Sequence, residues 1–304
     1  MKLNKIQTAV IALIIANIIW GVTPPIFKWA LEDITPFTLA FLRFFLAAII
    51  FLPFIHGQSL KIAKKDWGKV FLLTFVGIFI HISFFFLGLE LTSSINAPII
   101  GSAAPIFLII AGIVFLREHP GKKKIIGGLI GLFGVLIIVL LPVLGQEFDG
   151  ALLGNLFLIV STVGAVFHSV ILKELSKDYN PIPLIFWSFA GAAFMFFPMF
   201  VNDAVSNQAL SSIGLQGLIG VLFGGIFASA IAYSLFYWAM KYMLASEVGL
   251  FTYIDPVAAL LIAVPLLGEI PTPTYFLGAI LVFAGIYVAE GRLHWHPLHL
   301  LKSK

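Results

Sequence analysis

Long apolar segments alternate with short polar joints along the whole chain of 304 residues. A membrane-spanning helix requires about 20 mostly apolar residues, and ten segments of roughly that length occur. They span residues 6–28, 35–55, 70–91, 94–116, 125–144, 152–172, 183–201, 215–239, 246–267 and 274–289. The pattern therefore predicts an all-α integral membrane protein with ten transmembrane helices.

The composition excludes a soluble globular protein. Hydrophobic residues make up 61% of the chain and charged residues 11%, with a mean hydropathy of +1.08, whereas soluble domains carry about 25% charged residues. No polar block is long enough to form a soluble domain beside the helices. The chain has no cysteine, which excludes disulfides, thiol catalysis and thiolate metal sites. No cofactor, metal or nucleic-acid partner is expected.

Charge is divided unequally between the two sets of joints. Most lysines and arginines fall on one side: Lys2, Lys5, Lys61, Lys64, Lys65, Lys69, Arg117, Lys122, Lys123, Lys124, Lys173, Lys177, Lys241, Arg292, Lys302 and Lys304. The opposite joints carry the acidic residues Glu32, Asp33, Glu90, Glu147, Asp149, Asp203 and Glu269. Because cytoplasmic loops are enriched in lysine and arginine, this distribution places both termini in the cytoplasm.

The two halves of the chain repeat each other. An offset of 145 residues pairs Lys28 with Lys173, Asp33 with Asp178, Pro36 with Pro181 and Pro53 with Pro198. An offset of 151 residues pairs Pro105 with Pro256, Leu116 with Leu267, Glu118 with Glu269, Pro120 with Pro271, Gly127 with Gly278 and Gly134 with Gly285. The repeat unit contains five helices, an odd number, so the second copy enters the membrane from the opposite side.

Inverted repeats of this kind are typical of secondary transporters, in which two similar halves open a central site alternately to each side. We predict a first five-helix repeat over residues 1–146 and a second, inverted repeat over 147–290. Residues 291–304 form a cytoplasmic tail. Because one chain contains both halves, a monomer is sufficient for this architecture.

Four motifs occur in the order and spacing of a known family. They are Ile19-Trp20-Gly21, Leu42-Arg43-Phe44-Phe45-Leu46-Ala47-Ala48, Ala104-Pro105-Ile106-Phe107 running to Leu116-Arg117-Glu118, and Asp255-Pro256-Val257 running to Leu266-Leu267-Gly268-Glu269. Over essentially its whole length the chain resembles the EamA family of the drug/metabolite transporter superfamily. The resemblance implies a bacterial or archaeal inner-membrane carrier, usually an exporter of amino acids or related metabolites. Asp255 departs from the family, which more often has glutamate before this proline.

Prolines mark the segments where a substrate site is expected. A proline inside a helix leaves the carbonyl four residues earlier without its helical partner, and such a carbonyl is tolerated at membrane depth only in protein or in a wet cavity. The candidates for helix breaks or hinges are Pro24, Pro25, Pro105 and Pro256. Pro105 and Pro256 occupy equivalent positions in the two halves, which favours a central cavity. The alternative is an ordinary kink satisfied by a neighbouring helix.

Two charged residues lie within the apolar segments, where a charge is costly. Asp255 is the leading candidate for function, because a carboxyl group there can carry a proton in an exchange cycle or bind a substrate ammonium. The alternative is a structural ion pair with Arg43. For Arg43 the sequence favours a structural role in which the guanidinium caps several carbonyls.

Helical spacing supplies the remaining candidates for substrate binding or coupling. Polar faces run along the first, third and eighth helices. His81 has two alternatives: it takes part in substrate binding or proton relay, or it bonds to a neighbouring helix. The candidate side chains are Asn17, Trp20, Phe85, His81, His168, Tyr233, Tyr237 and Tyr253, the aromatic ones forming a wall for an apolar or flat solute. Gly127, Gly131, Gly134, Gly278 and Gly285 predict close helix contacts, while Glu118 and Glu269 are expected to shape helix joints.

These features predict a secondary-active exporter of small metabolites, amino acids or related amphipathic compounds, that works by alternating access with or without proton exchange. The partners expected are a small-molecule substrate, the lipid bilayer and protons as coupling ions. The sequence contains neither a phosphate-binding loop nor a nucleophile or metal motif, so no enzymatic activity is expected. A membrane-embedded enzyme and a non-transporting scaffold are the alternatives.

Overall fold

The computed structural model describes residues 5–107, 122–141, 150–206, 213–243 and 248–290. Within these ranges the regular structure is entirely helical. In chain order the described helices are α1 (Lys5–Ala30), α2 (Pro36–Ile55), α3 (Lys64–Leu91), α4 (Asn96–Gly101), α5 (Lys122–Leu140), α6 (Gly150–Leu175), α7 (Pro181–Ser206), α8 (Leu215–Tyr242), α9 (Ile254–Leu267) and α10 (Pro273–Glu290). The predicted tail at 291–304 and the joint residue Glu118 lie outside the described residues.

Six of these helices are long and apolar enough to cross a membrane by length and composition: α1, α2, α3, α6, α7 and α8. Three shorter apolar helices occupy Ile125–Ile138, Phe251–Leu267 and Pro273–Gly285. The prediction of an all-helical, multi-pass membrane protein agrees with these helices. The count of ten spans and the cytoplasmic placement of both termini stay predictions.

Local sequence explains several helix boundaries. Pro36 and Pro181 begin α2 and α7, because proline has a helical φ and its missing N–H has no helical acceptor at the first position anyway. Gly268 ends α9 with a φ of 66°, in the left-handed region, which glycine adopts without the steric cost of a side chain.

Two of the long helices contain π-helical turns that simple helical periodicity does not predict. In α3 the π segment Phe75–Ile80 follows the α-helical stretch Trp67–Thr74. In α8 the π segment Phe223–Ile231 follows Leu215–Leu222, a stretch of the same length. The two interruptions therefore lie at equivalent depths in the third helix of each half. Such segments are rare in α-helices and are frequent at functional sites.

Glycines let neighbouring helices approach closely, as the sequence predicts. A Cβ atom added at Gly134 of α5 would lie 2.7 Å from the carbonyl oxygen of Gly278 in α10. One added at Gly285 would meet the backbone nitrogen of Gly131. These contacts leave no room for a side chain, so the glycines form close helix contacts as predicted, and the structure shows that the two helices in contact are α5 and α10.

Several neighbouring helices, α3 and α6 among them, run antiparallel, and the helix ends define two ends of the bundle. In the α3–α6 pair, Gly88 lies against Gly154 at one end, and Lys69 pairs with Glu174 at the other. The acidic end, as we call it, carries Glu32, Asp33, Glu90, Asp203 and Glu269 together with Lys28. The basic end carries Lys5, Lys61, Lys64, Lys65, Lys69, Lys122, Lys123, Lys173, Lys177 and Lys241. The start of α1 and the end of α10 both lie at the basic end.

The interior of the bundle is strongly aromatic, whereas large apolar side chains also cover its outside. Phe44 of α2 stacks with Phe196 of α7, with ring centroids 6.1 Å apart and planes 3° apart. Phe194 and Ile280 are 79% and 64% exposed, an arrangement that suits a surface in contact with lipid rather than water.

Candidate functional site

A cavity of about 220 Å³ lies between helices of both halves. Its wall is formed by α1, α2, α3, α4, α6, α8 and α9, with the segments next to α4 and α9. The lining residues are Asn17, Trp20, Thr23, Pro24, Arg43, Gly77, His81, Ile82, Phe85, Ala97, Pro98, Gly101, Ala104, Leu158, Ser161, Thr162, Ala165, Val166, His168, Ser169, Tyr233, Phe236, Met240, Val248, Gly249, Thr252 and Asp255. Arg43 and Asp255 are the two members of this set with a formal charge.

Most of the side chains that the sequence singles out face this cavity. Eight of the ten candidates for binding or coupling belong to the lining: Asn17, Trp20, Arg43, His81, Phe85, His168, Tyr233 and Asp255. Tyr237 and Tyr253 lie behind it. The structure therefore brings together residues that are up to 238 positions apart, from Asn17 to Asp255.

Asp255 is placed in the first turn of α9, with its carboxyl group in the cavity wall. Its Oδ1 atom is buried and has no hydrogen-bond partner among the described residues. The ion pairs of the described residues are Lys28–Glu269, Lys69–Asp66 and Lys69–Glu174, so no ion pair joins Asp255 to Arg43. The structural alternative for Asp255, an ion pair with Arg43, is therefore not what the structure shows.

Arg43 makes three contacts with described residues. Its Nε atom donates to Ser229 Oγ at 3.1 Å, and the guanidinium lies 4.9 Å from the ring centre of Phe27 and 4.6 Å from that of Phe44. The residue is 2% exposed. In the described part of the chain its contacts are with a hydroxyl group and two aromatic rings and not with backbone carbonyls, so a role in capping carbonyls stays a prediction.

A second unsatisfied acceptor lies in the same cavity wall. The amide of Asn17 donates from Nδ2 to the Leu13 carbonyl at 2.8 Å, while its Oδ1 atom is buried without a partner among the described residues. Buried acceptors are rarely left unbonded. Asn17 Oδ1 and Asp255 Oδ1 are therefore two unsatisfied acceptors on side chains of the cavity lining.

The two histidines line the cavity and are also bonded to neighbouring helices. His81 Nδ1 lies 2.8 Å from the carbonyl oxygen of Ser161; because a carbonyl only accepts, Nδ1 is the donor. His168 Nε2 lies 2.9 Å from the hydroxyl group of Tyr237, which lies 3.2 Å from Ser188 Oγ. His81 therefore lines the cavity and also bonds to a neighbouring helix, while a part in substrate binding or proton relay stays a prediction.

The predicted aromatic wall forms in part. Trp20 donates from Nε1 to the carbonyl of Ala228 at 3.0 Å and meets the ring of Tyr233 edge-on at 5.3 Å. Phe85 lies in the wall on the side of α3. Tyr237 bonds to His168 behind the wall, and Tyr253 packs edge-on against Phe283 of α10 at 6.0 Å.

The four prolines fall into two groups. Pro24, which lines the cavity, and Pro25 lie within a continuous α1. Pro105 follows a turn at residues 102–103 that interrupts the helix after α4. Pro256 lies in the first turn of α9, directly after the 3₁₀ segment Leu250–Tyr253.

The two helix interruptions next to Pro105 and Pro256 also contact each other. Ser102 Oγ donates to the Thr252 carbonyl at 3.5 Å, and Thr252 is the residue whose carbonyl Pro256 leaves without a helical donor. Thr252 also lines the cavity. A neighbouring segment and the cavity are therefore both beside this carbonyl.

Several residues that line the cavity are not predicted from the sequence. Ser161, Thr162 and Thr252 line the wall, but serine and threonine are common in membrane helices, where they bond to their own backbone. Thr162 does so, donating to the Leu158 carbonyl at 2.8 Å. The one sequence signal for Ser161 is its spacing of seven residues before His168, which places both on one face of α6.

The bundle thus has the features of a membrane carrier: a central cavity lined by interrupted helices from both halves and containing charged side chains. Comparison with known proteins agrees. The model of the EamA-like transporter family matches residues 7–140 and again residues 152–290, and the chain belongs to this family.

Relatives along nearly the whole chain are transporters by name. An "Uncharacterized transporter" of Archaeoglobus fulgidus is 31% identical over 280 residues, which is 91% of this chain and 97% of the relative. The "Uncharacterized transporter YdfC" of Bacillus subtilis is 26% identical over 269 residues, covering 88% and 86% of the two chains. One solved crystal structure matches with a TM-score of 0.66 at 20% identity, covering 94% of this chain and 98% of the other; it shows the same fold.

Proposed function

We propose that this transporter is a secondary-active carrier of the inner (plasma) membrane that exports small metabolites, amino acids or related amphipathic compounds. The observation that carries the proposal is the central cavity, in which two buried acceptors, Asn17 Oδ1 and Asp255 Oδ1, lack partners among the described residues. A substrate ammonium group donates several hydrogen bonds and carries the charge that complements Asp255. A proton bound at Asp255 provides the alternative use of the same site.

Alternating access between two inverted five-helix repeats, residues 1–146 and 147–290, is the mechanism we propose. The helix pattern supports it: α1 and α6 are both 26 residues long, and α3 and α8 carry π segments at equivalent depths. Helix α3 packs against α6, and its equivalent in the second half, α8, packs against α1. When two such halves exchange conformations, the cavity that they share opens first to one end of the bundle and then to the other.

Counterflow in proteoliposomes tests the transport activity. Purified protein is reconstituted, loaded with unlabelled threonine, tryptophan or a serine-like solute, and exposed to the same solute in radiolabelled form. We expect saturable uptake of a chemically unchanged solute. No exchange of any solute by demonstrably folded protein would contradict the proposed carrier, and chemical conversion of the solute would indicate an enzyme.

Asp255→Asn separates the two roles of the carboxyl group, with the exposed Asp178→Asn as a matched control outside the cavity. If Asp255 binds the ammonium, the variant loses counterflow by about tenfold or more, since one charge-assisted contact is removed. If Asp255 carries the coupling proton, counterflow persists and accumulation driven by a pH gradient is lost. Unchanged behaviour in both assays would remove Asp255 from the transport cycle.

A further inference from the structure

The guanidinium of Arg43 has one open edge. Of its five N–H donors, the one on Nε is taken by Ser229, and the guanidinium lies close to the rings of Phe27 and Phe44. The Nη atoms make no hydrogen bond with the described residues, and Arg43 belongs to the cavity wall. The uncommitted donors therefore lie on the edge of the group, and the cavity is the space available to their partner.

The surroundings fix this edge in place. The contacts with the two rings and the bond to Ser229 together restrict the orientation of the guanidinium. Ser229 lies within the π segment of α8, so the interruption of that helix presents the hydroxyl group that positions the arginine. Full burial without a carboxylate partner is costly for a guanidinium, which makes a purely structural role a poor explanation for the arrangement.

A guanidinium edge matches the two oxygens of a carboxylate in a bidentate pair. The cavity holds one other formal charge, the carboxyl group of Asp255, and the two residues are not ion-paired. A phosphate dianion in this small space would be repelled by an ionised Asp255. One cationic and one anionic group on separate parts of the wall instead suit a solute that carries one charge of each sign.

We infer that Arg43 forms a carboxylate-binding subsite of the transport cavity, with Ser229 as the residue that positions it. The inference rests on the proposed carrier function and adds a chemical requirement, a free carboxylate on the solute. It assigns Arg43 a role in selecting the solute, where the sequence favoured a structural one.

Binding of matched pairs of solutes tests the subsite. Tryptophan is compared with tryptophan amide and tryptamine, and threonine with threonine amide, by the rise in the thermal unfolding temperature of the wild-type protein in detergent. Each pair differs only at the carboxylate. We expect the carboxylate member to bind at least about tenfold more tightly, the ratio expected for a charge-assisted bidentate pair. Failure of every carboxylate member to bind, or equal binding within the pairs, would overturn the subsite.

Substitutions then locate the preference. Arg43→Gln should reduce the ratio between each carboxylate and its amide to about one, and Arg43→Lys should restore part of it, since the charge remains but the fork is lost. Ser229→Ala should reduce the ratio less, because only the orienting bond is removed. Ser188→Ala is the matched control, a serine that is equally buried but bonds to Tyr237 outside the cavity wall.

The ratio within a pair distinguishes selection from folding. A structural Arg43 weakens binding of both members equally and leaves their ratio unchanged, an outcome that would overturn the inference. A wild-type protein that exchanges tryptamine as fast as tryptophan, with no change of this ratio in Arg43→Gln, would also overturn the inference. The carrier function would remain intact. Absence of counterflow by any solute would instead contradict the carrier itself.

Discussion

Lys28 and Lys173 occupy equivalent positions near the ends of α1 and α6, yet their partners differ. At the acidic end, Lys28 donates to the Thr92 carbonyl and lies 3.9 Å from Glu269 Oε1. At the basic end, Lys173 donates to the carbonyls of Met240 and Met243 at 2.7 and 2.6 Å. Both lysines meet the C-terminal end of a π-interrupted helix, where the helix dipole favours a cation.

The difference lies in the carboxylate. Glu269 accepts hydrogen bonds from Ser93 Oγ, from Ser94 Oγ, and from the backbone N–H groups of Ser94 and Ile95, at distances of 2.6 to 3.2 Å. It thereby links the end of α9 to the joint between α3 and α4 and takes the role in a helix joint that the sequence predicts. Its equivalent in the first half, Glu118, lies outside the described residues.

The two ends also relate differently to the cavity. Met240, whose carbonyl accepts from Lys173, belongs to the cavity wall, as does Val248 near the same end. The residues joined by Glu269 at the acidic end do not line the cavity. Lys28 therefore contacts a helix joint outside the cavity wall, whereas its equivalent, Lys173, contacts a segment of the wall. The two lysines thus have the same kind of backbone acceptor and differ in whether a residue that accepts from them lines the cavity.

The largest effect is expected from removing the carboxylate at the acidic end. Glu269→Ala leaves four donors without their charged acceptor, so we expect the free energy of unfolding to fall by about 2–4 kcal/mol. Chemical unfolding in mixed micelles measures this change. Glu32→Ala, which removes an exposed carboxylate at the same end, is the control and should shift stability by less than about 0.5 kcal/mol. If both variants lose the same free energy of unfolding, the hydrogen bonds of Glu269 contribute no more to stability than an exposed carboxylate does.

An intermediate effect is expected from Lys173→Met. The substitution leaves the carbonyls of Met240 and Met243 without this donor, which predicts a loss of about 1–2 kcal/mol. Because Met240 lines the cavity, the rate of counterflow should also fall in the variant. Stability and counterflow are measured on the same preparation. A loss of stability with normal counterflow would separate the Lys173 contact from the cavity wall.

The smallest effect is expected from Lys28→Met. The side chain of Lys28 is 29% exposed, and its ion pair with Glu269 is long, so the expected loss of stability is about 0.5–1 kcal/mol. Glu269 keeps its four donors from the serines and Ile95. Unfolding of the single variant and of Lys28→Met combined with Glu269→Ala tests this order. A loss as large as that of Glu269→Ala alone would make the lysine, and not the carboxylate joint, the main link at the acidic end.

Patterns that depend on local spacing predicted much of the architecture. Apolar length marked the helices, although α3 begins at Lys64, before the predicted residue 70, and α7 extends to Ser206, beyond the predicted residue 201. Glycine spacing predicted close helix contacts, because a small residue leaves room for a neighbouring backbone, and the structure places these contacts between α5 and α10. The segregation of lysines and acids predicted the two ends of the bundle, since charge avoids the apolar interior.

Composition and spacing also identified most of the candidate site, because a charged or strongly polar side chain in an apolar helix demands a special environment. The residue types alone therefore predict that four side chains need surroundings other than lipid: Arg43, Asp255, Asn17 and His81. The sequence by itself did not determine their partners. Arg43 and Ser229 are 186 positions apart, and no local periodicity relates them.

The partners of these residues depend on helix packing. Rings from α1 and α2 contact Arg43, the π segment of α8 presents Ser229 to it, and Asp255 lines the cavity without an ion pair to any described residue. The carboxylate of Glu269 finds its donors on a joint that lies 174 to 176 positions away. Sequence sets which groups must be sheltered or satisfied, because transfer energies belong to individual residues. The fold sets which groups meet, because distance and direction between helices depend on all of the contacts at once.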